Sequence, residues 1–105
     1  MNRLSTHILD TSLGKPAPGV PVRLFQADRE INSSVTDADG RCQNLLPAGV
    51  ALSSGVYRIV FEITAYAPNY LYPEIAISFK VDAGAAHYHI PLLLSPFGYT
   101  TYRGS

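Results

Sequence analysis

The sequence predicts an all-β chain, a two-layer antiparallel β-sandwich, and three observations carry that expectation. Short segments of alternating polarity recur along the chain. The 8 Gly and 8 Pro are dispersed between these segments rather than clustered. The intervals between turn signals are too short for helices of ordinary length. Roughly seven or eight strands at this spacing is the pattern of two sheets packed face to face. Without internal repeats, low-complexity tracts or linkers, the 105 residues read as a single domain, 1–105.

Residues 4–9 and 20–25 read as the first strands, parted by the turn segment Gly14-Lys15-Pro16-Ala17-Pro18-Gly19. Asp37-Ala38-Asp39-Gly40 is a strong turn signal, because Asp hydrogen-bonds its own backbone and Gly accepts positive φ. Residues 56–65 alternate most clearly, with Tyr57, Ile59, Phe61 and Ile63 on the apolar face. Residues 74–81 repeat the pattern with Ile75, Ile77, Phe79 and Val81 inward. In residues 87–94, Tyr88, Ile90, Leu92 and Leu94 point inward, which leaves His87 and His89 on the face away from the core. Residues 99–103 form a β-rich run of Tyr and Thr.

Composition removes whole classes of function. Lys+Arg and Asp+Glu balance at 8 each, so no basic footprint for nucleic acid exists. At 47% hydrophobic the chain is too apolar for disorder. Surface scaling gives about 5,800 Å² folded, with roughly 65% of the unfolded surface buried, enough for a core without staples. The charged fraction of 15% is low for a soluble domain and predicts an apolar surface covered by another subunit. A single cysteine, Cys42, points to a reducing compartment. No signal-peptide run or membrane-spanning stretch is visible, so a cytoplasmic protein without membrane association is the simplest expectation.

No phosphate loop, metal-type Cys/His spacing or nucleophile elbow is present. The remaining chemistry lies in His7, Arg41, His87, His89 and Arg103. Each has an ordinary reading: His7 a solvated or capping histidine, Arg41 a solvated charge, Cys42 a small buried hydrophobe. His87 and His89 share a strand face and could bind zinc, but a third ligand is not evident, and no metal is expected. Arg41 has a fork able to hold a planar, oxygen-rich ligand bidentately. Composition and periodicity alone stop at an oligomeric β-sandwich.

Three segments taken together go further. They are Thr6-His7-Ile8-Leu9-Asp10 with Gly14-Lys15-Pro16-Ala17, then Thr36-Asp37-Ala38-Asp39-Gly40-Arg41, and His87-Tyr88-His89-Ile90-Pro91-Leu92-Leu93-Leu94-Ser95-Pro96 running to Tyr102-Arg103-Gly104-Ser105. Over essentially its whole length the chain resembles the 5-hydroxyisourate hydrolases, the transthyretin-related enzymes of urate degradation. The hormone carrier transthyretin is similar in fold but lacks the Tyr-Arg-Gly-Ser ending and replaces the family's histidines and arginine.

The resemblance implies a transthyretin-like (prealbumin-like) sandwich of two four-stranded sheets. It also implies a homotetramer with active sites at the dimer–dimer interface. Its reaction would be hydrolysis of 5-hydroxyisourate to 2-oxo-4-hydroxy-4-carboxy-5-ureidoimidazoline, with no cofactor. Carried over by position, His7, Arg41, His89 and Ser105 would be catalytic, and His7, Arg41, Tyr102, Arg103, Gly104 and Ser105 would bind substrate. A neutral imidazole suits general-base work near pH 7, and Arg41 and Arg103 are candidate donors to the developing oxyanion. Between Ala65 and Tyr72 the chain is shorter than its relatives, so their short helix is expected to be abbreviated or lost. The competing readings are a non-enzymatic carrier of a flat aromatic ligand in the same channel and an adhesion sandwich without a pocket.

Overall fold

The structure is a computed structural model and describes residues 3–82, 84 and 87–105. Nine strands follow in order: β1 Arg3–Asp10, β2 Lys15–Pro16, β3 Pro21–Gln26, β4 Arg29–Val35, β5 Arg41–Cys42, β6 Gly55–Glu62, β7 Glu74–Val81, β8 His87–Ser95 and β9 Gly98–Thr101. They form two sheets, one of order β4-β3-β6-β7 and one containing β2-β1-β8-β9 with β5 also on β1. Because β8 occupies one edge of β1 along its whole length, the two-residue strands β2 and β5 share the other edge, end to end. Each sheet is thus four positions wide, as the family resemblance implies. The exposed surface of 5742 Å² matches that expected of a compact chain of this mass.

Period-2 alternation builds the core. Leu4 and Ile8 of β1, Val22 and Leu24 of β3, Tyr57, Ile59 and Phe61 of β6 and Leu92 and Leu94 of β8 meet between the sheets. The alternation expected in residues 56–65 holds, but pairing with β7 ends at Glu62↔Glu74, and the chain turns away after that. Pairing in three places differs from the antiparallel expectation or adds to it. β1 and β8 run parallel, from Arg3↔His87 to Asp10↔Leu94. β4 is a strand that periodicity did not single out; it pairs with β3 across a register shift at Leu24/Phe25. The C-terminal strand starts at Gly98 and ends at Thr101, two residues short of the expected run.

Among the described residues no helix forms, and the shortened segment between β6 and β7 is held by side chains instead. Asp10, wholly buried at the end of β1, accepts hydrogen bonds on Oδ2 from the hydroxyls of Tyr66 at 2.8 Å and Tyr70 at 2.6 Å. Its Oδ1 accepts from the Ser12 hydroxyl and from the Ser12 and Leu13 amides. Burial pushes the Asp10 carboxyl up, but hydrogen bonds from Tyr70, Ser12, Tyr66 and Leu13 outweigh it, and the net shift is downward. A carboxylate with a lowered folded pKa stabilises the fold above its ordinary range near 3.9 and loses that contribution as pH falls through the folded value. The Asp10 clasp is therefore complete at neutral pH.

Candidate active site

The site is assembled on the outer face of the β1–β8 pair. Inward positions of β1 are even-numbered, so Arg3, Ser5 and His7 share its outer side. The parallel register sets Ser5 beside His89 and Arg3 beside His87. β5 sets Arg41 beside His7 on the other edge. Residues more than 80 positions apart in sequence thereby become lateral neighbours about 4.8 Å apart along the hydrogen-bonding direction.

The turn before β5 fixes where Arg41 stands. Asp37 Oδ1 accepts from the Asp39 and Arg41 amides, and the Asp37 carbonyl accepts from the Gly40 amide. Gly40 has φ 72°, and its carbonyl accepts the Ile8 amide at 2.8 Å. A Cβ there would lie 2.5 Å from the Ile8 carbonyl oxygen, so only glycine allows the turn to close onto β1. The Asp-Ala-Asp-Gly-Arg sequence is in this sense a device for delivering one guanidinium to the strand that carries His7.

Both expected histidines are tuned toward the neutral form. Burial lowers the His7 pKa and the Arg41 charge lowers it further, against the opposing pull of a hydrogen bond to the Asp39 backbone and the Asp37 and Asp39 carboxylates. His89 is also lowered, first by burial and then by Arg41, His87 and His7, while a hydrogen bond to the Ser5 backbone raises it. The Ser5 hydroxyl lies 2.8 Å from His89 Nδ1. With Nδ1 engaged by Ser5, Nε2 is the imidazole nitrogen left for a ligand or water. No local pattern singles out Ser5, because its contact with His89 depends on the β1–β8 register.

An open concavity of about 330 Å³ lies over this face, lined by Arg3, Ser5, Arg41, His87, His89 and Ser105 among others. It is at the small end for ligand sites, a size for a compact bicycle. His7 is not among the residues that line it; it lies beside Arg41, which does, and its charge acts on His89. Cys42, next to Arg41, points inward, and burial raises its thiol pKa, so it is a core residue rather than a nucleophile. Among the described residues no cluster of three or more His, Cys, Asp or Glu could hold a metal ion. His87 and His89 stack at 6.4 Å without a third ligand.

The four C-terminal residues divide between two places. The Gly104 amide donates to the His89 carbonyl at 2.7 Å, and the Gly104 backbone lies so close to the imidazole that a Cβ would come within 2.5 Å of His89 Cδ2. Ser105 reaches the concavity. Tyr102 and Arg103 instead line a second recess at the open mouth between the sheets, with the Arg103 guanidinium 4.2 Å from the centre of the Tyr88 ring. Within one chain, then, His7, Arg41, His89, Gly104 and Ser105 are brought together, and Tyr102 and Arg103 are not.

Comparison with known proteins bears on the family and the fold. The model of the HIUase/Transthyretin family matches residues 4–104. The 5-hydroxyisourate hydrolase of Salmonella dublin is 45% identical over 112 residues, which cover 99% of this chain and 82% of that protein. The enzyme of the same name from Mesorhizobium japonicum is 42% identical, covering 98% and 92%. Klebsiella pneumoniae 5-hydroxyisourate hydrolase superposes with a TM-score of 0.89 at 37% identity, covering all of both chains. Sea bream transthyretin in complex with thyroxine superposes at 0.86 and 34% identity, covering 97% and 94%. The chain belongs to the HIUase/Transthyretin family.

Proposed function

We propose that the chain catalyses hydrolysis of 5-hydroxyisourate, with His7 and His89 activating water without a metal. It is an enzyme of this family rather than a carrier. The observation that carries the mechanism is the pairing of two imidazoles of lowered pKa on one sheet face with Arg41, which has no ion-pair partner among the described residues. Neutral imidazoles accept protons at pH 7, and an uncommitted guanidinium binds carbonyl oxygens.

In this reading water adds to C6 of the six-membered ring, and an imidazole takes its proton. The oxyanion formed at C6 is met by Arg41. Collapse breaks the N1–C6 bond, the imidazolium returns its proton to N1, and the C6 carboxylic acid formed on the opened ring gives its own proton to solvent. Ser5 holds the His89 ring in orientation, and Ser105 orients substrate or water. Gly104 leaves the space His89 needs. The concavity is open on one side in a single chain, which suits a homotetramer whose dimer–dimer interface closes it over the substrate. A site of cationic and imidazole groups favours an oxygen-rich bicycle over an apolar hormone, which weighs against the carrier reading. A free, buried Cys42 suits work in the cytoplasm. No helix among the described residues is long and apolar enough to cross a membrane.

The test is to generate 5-hydroxyisourate from urate in situ and follow the decay of its near-ultraviolet absorbance with and without protein. Acceleration that disappears in His89→Ala supports the reading. An unchanged spontaneous rate in the presence of folded protein refutes it.

A further inference from the structure

Arg103 lies on the opposite side of β8 from the imidazoles, and the reason is the sheet register. β8 and β9 pair as Leu92↔Thr101 and Leu94↔Tyr99, so paired positions move in opposite directions by equal steps. The bond from the Gly104 amide to the His89 carbonyl continues that same register three residues beyond β9. The Thr101 hydroxyl reinforces it by donating to the Pro91 carbonyl at 2.8 Å. Alternation along this extension then sends Gly104 to the outer face beside His89 and Arg103 to the inner side.

On that inner side Arg103 meets the end of an aromatic row. Tyr57 and Phe79 stack at 6.1 Å, Phe79 and Tyr88 lie 6.4 Å apart, and the Arg103 guanidinium caps the Tyr88 ring. Tyr88 is itself fixed, being buried and accepting the Asp82 amide on its hydroxyl at 2.8 Å. Tyr88 separates His87 and His89 in the chain, so a clamp on Tyr88 grips the strand that carries both.

Building on the hydrolase reading, we propose that Arg103 is a positioning residue: its cation–π contact with Tyr88 locks the chain end so that Gly104 abuts the His89 imidazole and Ser105 enters the concavity. It does not need to touch the substrate. Arg103 is exposed, where a cation–π contact is modest on its own, but it adds to the backbone bond from Gly104 to His89 in holding the chain end.

The test compares Arg103→Ala, Arg103→Lys and unsubstituted protein by two readouts. The first is the titration of the three histidines by NMR, which reports on the tail whatever the reaction catalysed. Release of Gly104 from His89 exposes the ring, so Arg103→Ala is expected to move the His89 pKa up toward its ordinary value and leave His7 nearly unchanged, with Arg103→Lys in between. The second is kinetics. Arg103→Ala is expected to lower kcat about twofold to fivefold, as loss of one exposed cation–π contact does, with KM moved less than about twofold; Arg103→Lys restores part of the loss. In a double-mutant cycle with Tyr88→Leu, Arg103→Ala is expected to add nothing further. Tyr88→Phe keeps the ring face and the dependence on Arg103, and serves if Tyr88→Leu does not fold. An unmoved His89 titration in Arg103→Ala overturns the proposal, as does a defect confined to KM and additive with Tyr88→Leu, the signature of direct substrate contact. Loss of the His89 shift is distinguishable from failure of the hydrolase reading, because the latter leaves the titrations intact.

Discussion

The two outer faces of the sandwich both present cationic side chains, and they differ in what those charges meet. On the β3–β6 face, Arg23 lies 2.6 Å from Glu62, 3.4 Å from Glu30 and 4.0 Å from Glu74. Its guanidinium and that of Arg58 also stand over the Phe25 ring, at 5.4 and 4.5 Å. On the β1–β8 face, Arg3, Arg41 and three imidazoles gather with no ion pair among the described residues. On the first face the ion pairs are completed around Arg23, although its Nε is buried without a hydrogen-bond partner among the described residues. The second gathers cationic and imidazole groups without a carboxylate partner in an ion pair among the described residues, and burial and Arg41 lower the proton affinity of His7 and His89, an arrangement that folding alone does not favour and an oxygen-rich ligand relieves. The comparison locates function by the charge that the fold leaves uncompensated.

The largest test of this contrast is removal of an imidazole from the uncompensated face. His89→Ala or His7→Ala is expected to lower turnover by about 10² to 10⁴, the usual contribution of a general base, with the thermal midpoint little changed. Full activity in both variants would erase the distinction between the faces. Ser5→Ala, which frees His89 Nδ1, is expected to cost about tenfold in kcat, in line with loss of one positioning hydrogen bond of roughly 1–1.5 kcal/mol. A KM effect alone would count against the tautomer role.

Arg41→Gln sharpens the comparison through pH. Burial first and the Arg41 charge second hold both imidazoles below their ordinary value near 6.5, so the acid limb of kcat/KM is expected below that value in the unsubstituted protein. Removing the charge lets His7 and His89 bind protons more readily, and the limb should move to higher pH. A limb that stays put or moves down would show that Arg41 does not set their titration. The smallest effect is expected on the completed face. Glu62→Gln, breaking a half-exposed pair, should change stability by less than about 1 kcal/mol and leave kcat/KM unaltered. A large loss of activity there would make the two faces equivalent.

What the sequence discloses follows from what is local. Strands with apolar faces, such as β6 and β7, are legible because period 2 is a property of neighbouring residues. β4 is not, because Arg29–Val35 carries only Ile31 as a large apolar group facing the sandwich and gains its place by pairing with β3. The direction of the β1–β8 pair is equally invisible, since alternation reads the same for parallel and antiparallel partners. That single bit decides that Ser5 rather than His7 lies beside His89. His7, Arg41 and His89 were reachable through motif resemblance, but the inward placement of Arg103 required the register at the end of β9. The hold of Tyr66 and Tyr70 on Asp10 spans at least 56 positions and has no sequence signal beyond a buried-looking Asp and two tyrosines.

The parallel strand pair has one more consequence, in the order of events. Closing β1 onto β8 means joining segments separated by nearly the whole chain, with an entropic toll that must be met before any contact there is rewarded. Topologies of this kind have high contact order and fold slowly. The β4-β3-β6-β7 sheet can pair while the chain is still being synthesised, but the imidazoles cannot meet until β8 has left the ribosome and found the first strand. On the proposed mechanism, catalytic competence is therefore a report on complete folding: every active molecule has already closed its longest loop.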